Sequence, residues 1–318
     1  MSQRSQTTPE EATAARRVYR RLAFGFEWLV ALTLGLIVIG ALVRAHGAGL
    51  ACPDWPLCFG GFIPQMDIKV GFEWTHRVLA SIVTLIFAAL GVLAWRNRDG
   101  CERLPTLLGL AVALLATQIA LGALTVWLKL ASWTVTAHLI TGNSFAATAL
   151  LIALTLRGQA NDANPLSSVS NQSRFWVTSV GGLLLMQIAL GGLVSSRYAG
   201  MACPEWPTCN GGIWFPAWGG SVGLQLLHRL SGYALVVCLG FTAWISRRET
   251  RLRSSTALAL ALGIGQISVG AANVLAGIPA ELTGLHTALA GGLVLTLTYA
   301  LRAAWWDGAP RTSIPAIQ

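Results

Sequence analysis

Acidic side chains are scarce in this chain: 13 Asp and Glu stand against 22 Lys and Arg in 318 residues, a net charge of +9. Charged residues of both signs amount to 11%, well below the roughly 25% usual in soluble domains. So little charge excludes an ordinary water-soluble globule. Cysteines two residues apart are also absent, although there are six cysteines. That speaks against a thioredoxin-type redox motif and against a zinc ribbon. Glu-x-x-His occurs once, at Glu73–His76, where a di-iron carboxylate bundle uses it twice. No span carries a midplane charge or a helix break, the marks of a transporter site.

What fills the chain instead is apolar, 54% of residues with a mean hydropathy of +0.60. A bilayer core takes about 20 apolar residues per helix. Eight such stretches run at 25–44, 74–95, 106–128, 133–156, 175–196, 223–245, 255–277 and 281–304. The expected fold is an all-α polytopic membrane protein with eight transmembrane helices. Arginines crowd alternate connections: Arg16, Arg17, Arg20 and Arg21 before the first span, Arg96, Arg98 and Arg103 after the second, Arg157 and Arg174 between the fourth and fifth, Arg247, Arg248, Arg251 and Arg253 after the sixth, and Arg302 at the end. The opposite loops hold little beyond Lys69, Lys129 and a few acids. By the positive-inside bias, both termini face the cytoplasm. The basic balance sets topology, and no nucleic-acid partner is expected.

The chain repeats itself. "CPDWPLC" (Cys52–Cys58) recurs 151 residues later as "CPEWPTC" (Cys203–Cys209), and "THRVLA" (Thr75–Ala80) recurs as "LHRLSG" (Leu227–Gly232). "TAHLITG" (Thr136–Gly142) has its echo in "GLHTALAGG" (Gly284–Gly292), and Gln118-Ile-Ala-Leu-Gly122 returns at Gln187–Gly191 and, altered, at Gln266–Gly270. Two tandem pseudo-symmetric four-helix bundles are the simplest reading, 24–156 and 175–304. Residues 1–23 form a flexible cytoplasmic lead-in without a cleavable signal peptide, 157–174 an Asn/Ser-rich cytoplasmic linker and 305–318 a cytoplasmic tail. The small residues Gly122, Gly191, Gly192, Gly270 and Ala271 let helices pack closely or leave room for a flat cofactor.

Four of the five histidines lie in spans: His76, His138, His228 and His286, each just inside the outer end of an even-numbered span. Ionisable residues inside a membrane face the bundle interior and mark function. Paired imidazoles from facing helices are a standard way to hold haem iron, and two haem-type sites side by side are expected. Arg77 and Arg229, each directly after a histidine, either meet haem propionates or snorkel to the interface. The halves differ at one telling position. Glu73 lies one turn from His76, on the same helix face, whereas Gln225 holds that place before His228. An enzyme acting at one site has use for a single acid; a di-haem electron-transfer cytochrome, the alternative reading, leaves the difference unexplained.

Each Cys-x5-Cys loop is stiffened by two prolines and leads into a histidine-bearing helix. On an oxidising outer face, local disulfides Cys52–Cys58 and Cys203–Cys209 are expected in preference to zinc, making a stapled lid over each site in preference to a thiol redox pair. Trp55 and Trp206 either anchor at the interface or cover a haem edge. Cys101 and Cys238 lack partners.

An outward CPDWPLC loop, then "EWTHR" (Glu73–Arg77), a second CPxWPxC and histidines in four even-numbered spans closely resemble the haem A synthase family, over about residues 25–305. The resemblance implies oxidation of the methyl group at ring position eight of haem O to a formyl group, giving haem A for terminal oxidases, with haem B as cofactor. It makes Glu73 the catalytic carboxylate, His76 and His138 ligands of the substrate haem, and His228 and His286 axial ligands of haem B. It also implies a bacterial inner-membrane location. Expected partners are haem O, membrane lipid, a haem O synthase, an electron donor and a second copy in a homo-oligomer. His46 falls outside the histidine repeat and is expected to be a loop residue.

Overall fold

The computed structural model describes residues 9–160 and 168–306. Eight helices follow one another: α1 (Pro9–Ala45), α2 (Ile68–Arg96), α3 (Leu104–Trp127), α4 (Ser132–Ala160), α5 (Asn171–Ser196), α6 (Gly220–Ser246), α7 (Arg253–Leu275) and α8 (Ala280–Trp305). Each carries a stretch long and apolar enough to cross a bilayer. Even α7, with 23 residues, reaches about 35 Å at the usual helical rise. Among the described residues there is no strand beyond the isolated bridges Cys58–Gly61 and Asn210–Ile213. This is an eight-span, all-helical membrane protein.

Seven spans fall within six residues of their expected bounds; the first does not. The stretch expected as a flexible lead-in is helical from Pro9 onward. Ala15, Tyr19, Leu22, Ala23 and Phe26 are buried along one stripe, while Arg17, Arg20 and Arg21 between them are exposed. The spacing is that of a helix face packed on a core, and Tyr19 Oη donates to the Asp99 carbonyl at 2.9 Å. A high charge count hid that stripe. The expected linker shrinks likewise, because α4 runs to Ala160 and α5 starts at Asn171, capped by Ser170, whose side chain accepts from Ser173 N. The rest of the linker (161–167), residues 1–8 and the tail from 307 lie outside the described residues.

Within the first half α1 packs on α2 and α4, and α3 on α4; in the second, α5 packs on α6 and α8, and α7 on α8. The halves meet where α1 touches α8, α4 touches α5, and α4 touches α8. Lipid tails are as apolar as leucine, so shape and specific polar contacts must hold this seam. Arg44, at the end of α1, lies 3.7 Å from the Tyr198 ring centroid and donates to the Ser195 carbonyl at 2.9 Å. Arg44 and Arg197 therefore join Lys69 and Lys129 at the cysteine-loop end. The charge asymmetry is a majority of arginines at the other end, not their absence here.

Away from the loops, the first half packs aromatically. Phe87 makes edge contacts with Phe26 at 6.5 Å and Phe145 at 5.3 Å, tying α1, α2 and α4 together. The second half fills the corresponding space with Val180, Leu184, Leu235, Leu239, Leu293 and Leu297. Phe87→Ala removes the ring common to both contacts and is expected to cost about 3 kcal/mol. Thermal unfolding in detergent should show the loss, with the exposed Phe175→Ala near neutral; equal effects would contradict this core.

Candidate functional site

Both cysteine loops close as expected, Cys52–Cys58 with Cα atoms 4.7 Å apart and Cys203–Cys209 at 4.3 Å. Each has a cis peptide before its second proline, Trp55–Pro56 and Trp206–Pro207. A carboxylate ties each loop to the turn that follows. Asp54 accepts from the backbone N–H of Phe59 and Gly60, both at 2.7 Å. Glu205, one methylene longer, reaches one residue further, to Gly211 at 2.8 Å and Gly212 at 3.0 Å. Gly60 and Gly212 have positive φ, which glycine adopts without strain. These N–H donors hold both carboxyl groups below the usual range, Gly60 foremost for Asp54 and Gly212 for Glu205.

The two arginines lie under these loops. Arg77 donates to the carbonyls of Asp54 and Leu57, both at 2.6 Å, and of Cys52 at 3.2 Å, while its Nε donates to Glu73 Oε1 at 2.9 Å. Arg229 donates to the carbonyls of Cys203 at 2.6 Å and Thr208 at 3.0 Å. Nothing in the residue pattern pointed to this strap on the loop backbone. It works because a guanidinium presents several donors in a rigid fork, enough to gather the carbonyls of a tight loop. The loop, the strap and the helix below form one unit in each half.

The four histidines sit at matched depth. His76 and His228 follow the first residue of their helices by eight positions, and His138 and His286 by six. His76 and His138 lie within electrostatic reach of each other, as do His228 and His286. Each ring also faces a glycine on the neighbouring odd-numbered helix. A Cβ added at Gly40, Gly122, Gly191 or Gly270 would come 3.1, 3.4, 3.1 or 3.0 Å from the Cε1 of His76, His138, His228 or His286 respectively. Gly122, Gly191 and Gly270 were singled out from the sequence as small residues. Gly40 was missed, although it precedes Gly191 by the same 151 residues that separate the cysteine loops.

Nδ1 of His76, His138 and His286 is buried without a hydrogen-bond partner. Among the described residues no three His, Cys, Asp or Glu gather as a metal cluster. Each half can thus offer an iron atom two imidazoles, each packed closely against a glycine of the neighbouring helix. That donor set suits a haem and not a zinc or di-iron centre. Glutamines whose repeat was visible but whose role was not complete the surroundings: Gln118 Nε2 is 3.2 Å from His138 Nε2, and Gln187 Nε2 is 3.2 Å from His228 Nδ1.

Glu73 is buried, 6% exposed, with Oε1 held by Arg77. Gln225, equally buried, donates to the Gly200 carbonyl at 3.2 Å and leaves its Oε1 without a partner. One half therefore has a carboxylate clamped by an arginine beside its histidine, and the other has an amide that cannot ionise. His46 stands apart, in the turn after α1, stacked on Phe72 at 4.2 Å. Cys101 and Cys238 are unpaired, and burial pushes the Cys101 thiol up to about 11, leaving it unreactive.

The Asp54 loop bonds carry a pH signature. A carboxyl held below its unfolded value stabilises the loop above the ordinary carboxylate range, and that support fades as pH falls through the lowered value. Amide-exchange protection factors at Phe59 and Gly60 are expected to follow this course, and Asp54→Asn should lower them at neutral pH; unchanged protection in the variant would remove the carboxylate from the loop's support.

Comparison with known proteins agrees with this geometry. The model of the COX15-CtaA family, described as cytochrome oxidase assembly protein, matches residues 26–70 and 65–298. A protein of Shewanella oneidensis named "Heme A synthase" is 30% identical, over 85% of this chain and 94% of its own length. Proteins of the same name from Shouchella clausii and Symbiobacterium thermophilum are each 31% identical, over 84% and 85% of this chain and 92% and 90% of theirs.

Proposed function

The chain belongs to the COX15-CtaA family of cytochrome oxidase assembly proteins, and from that premise we propose that it is an enzyme converting haem O to haem A. The reaction replaces two C–H bonds of the ring-eight methyl group with the C=O bond of a formyl group, a four-electron oxidation. Drawn with water as the oxygen source, methyl and one water give formyl, four protons and four electrons that pass to an external acceptor. His76 and His138 hold the substrate haem, and His228 and His286 hold haem B. The observation that carries this division is the Glu73/Gln225 break between otherwise matching halves. Arg77 occupies Oε1 of Glu73, leaving Oε2 as the oxygen that exchanges a proton beside the substrate. The same ion pair keeps the carboxylate aimed while the loop above limits water. Haem B, when bound, would supply a redox-active iron.

The positive-inside pattern supports both termini in the cytoplasm and the cysteine loops on the outer side of the bacterial inner membrane. A haem O synthase as source of substrate and an electron acceptor or donor are the partners this chemistry requires.

The test is extraction and chromatography of haems from cells making the chain together with a haem O synthase. Haem A is expected with the native chain and is lost, by at least a hundredfold on the scale of a missing acid–base group, with Glu73→Gln, while bound haem B persists. Haem B alone in both samples would overturn the synthase reading and favour an electron-transfer cytochrome.

A further inference from the structure

No charge stands between Phe59 and Met66, the turn that follows the first cysteine loop. Its tip is Phe62, 85% exposed, and Ile63, 81% exposed, with Phe59 and Met66 exposed beside them. In water this would be an apolar patch in want of cover. One hydrogen bond says where the tip lies: Trp74 Nε1 donates to the Phe62 carbonyl at 2.7 Å. Trp74 is six residues, about 9 Å, along α2 from its start at Ile68. The turn therefore folds back alongside the helix instead of standing above it. At about 100° per residue, Trp74 shares a stripe with Ser81, Leu85 and Val92, all exposed on a helix long and apolar enough to span. Side chains left exposed along such a helix are covered by lipid tails, and the tip hangs over that stripe.

A second tryptophan gives the depth. Trp95, also exposed, lies 21 residues further along α2, about 31 Å, close to the ~30 Å of a hydrocarbon core. Tryptophans gather at both edges of that core, so Trp74 and Trp95 mark its two boundaries on one helix. The tip of the turn is tied to the boundary at the cysteine-loop end. We propose that Phe62 and Ile63 are a lipid contact, inserted among the phospholipids of that leaflet and held at its edge by Trp74. The inference rests on the spans and goes beyond the proposed reaction, since it holds whatever the histidines bind. It gives the first cysteine loop two holds, Arg77 on its carbonyls and lipid at its tip. The second half is built otherwise. Leu226, buried, stands two residues before His228 as Trp74 stands before His76, and Phe215 stacks on Trp218 at 5.5 Å.

Photocrosslinking of the full-length protein in liposomes of phosphatidylcholine and phosphatidylglycerol tests this. A p-benzoylphenylalanine replaces Ile63 or, for comparison, Leu85 on the exposed stripe. Intact masses after irradiation are expected to rise by one phospholipid at either position. Adding Trp74→Phe, which removes the bond to Phe62, should lower the adduct at position 63 about fivefold, the weight of one net hydrogen bond. The adduct at position 85 should not change. Lipid adducts at position 85 with none at position 63 overturn the proposal. Adducts of doubled protein mass at position 63 overturn it too, by making the tip a contact between copies. An undiminished lipid adduct in Trp74→Phe overturns the role of Trp74.

Discussion

An imidazole placed in a bilayer needs a partner, because neither water nor lipid can supply one. Here His138 and His228 meet glutamine amides of the neighbouring helix, at Nε2 and Nδ1 respectively, and all four rings pack against glycines. Each histidine on an even-numbered helix projects against a glycine on an odd-numbered neighbour, close enough that an added Cβ would sit 3.0 to 3.4 Å from the ring. Those four pairs set how closely the helices approach around the rings. The cores further from the loops are free to differ, and do: three phenylalanines in one half and aliphatic side chains in the other.

Above the rings a second constraint operates. A loop closed by a disulfide still has carbonyls to satisfy, and Arg77 and Arg229 satisfy them from the helix directly below. This binds each cysteine loop to the histidine-bearing helix that follows it. In the first half the same arginine also holds Glu73, which links the acid to the loop backbone. The catalytic reading thus depends on a three-part contact, loop to arginine to carboxylate, that the second half lacks because Gln225 turns to Gly200 instead.

Much of this was legible in the residues themselves. Hydropathy placed seven spans closely, and the repeat offset located the loops and four histidines at equal depth, because both signals are local and periodic. The helical start at Pro9 was missed because arginines dominate its composition while its buried stripe is only one residue in three or four. The arginine straps were missed because their acceptors are backbone carbonyls, which every residue owns and no residue type advertises. Gly40 was missed for want of carrying the offset of 151 back from Gly191. The contact of Gln187 with His228 depends on which side chain lies across a helix seam, and that relation of α5 to α6 appears only in three dimensions.

The most direct test of the two-site division is the identity of the haem kept by single-histidine variants made alongside a haem O synthase, read by chromatography of the extracted haems. His76→Ala is expected to keep haem B and to carry neither haem O nor haem A, whereas His286→Ala loses haem B. Loss of haem B from His76→Ala together with its retention in His286→Ala would contradict the assignment of substrate and cofactor to these halves.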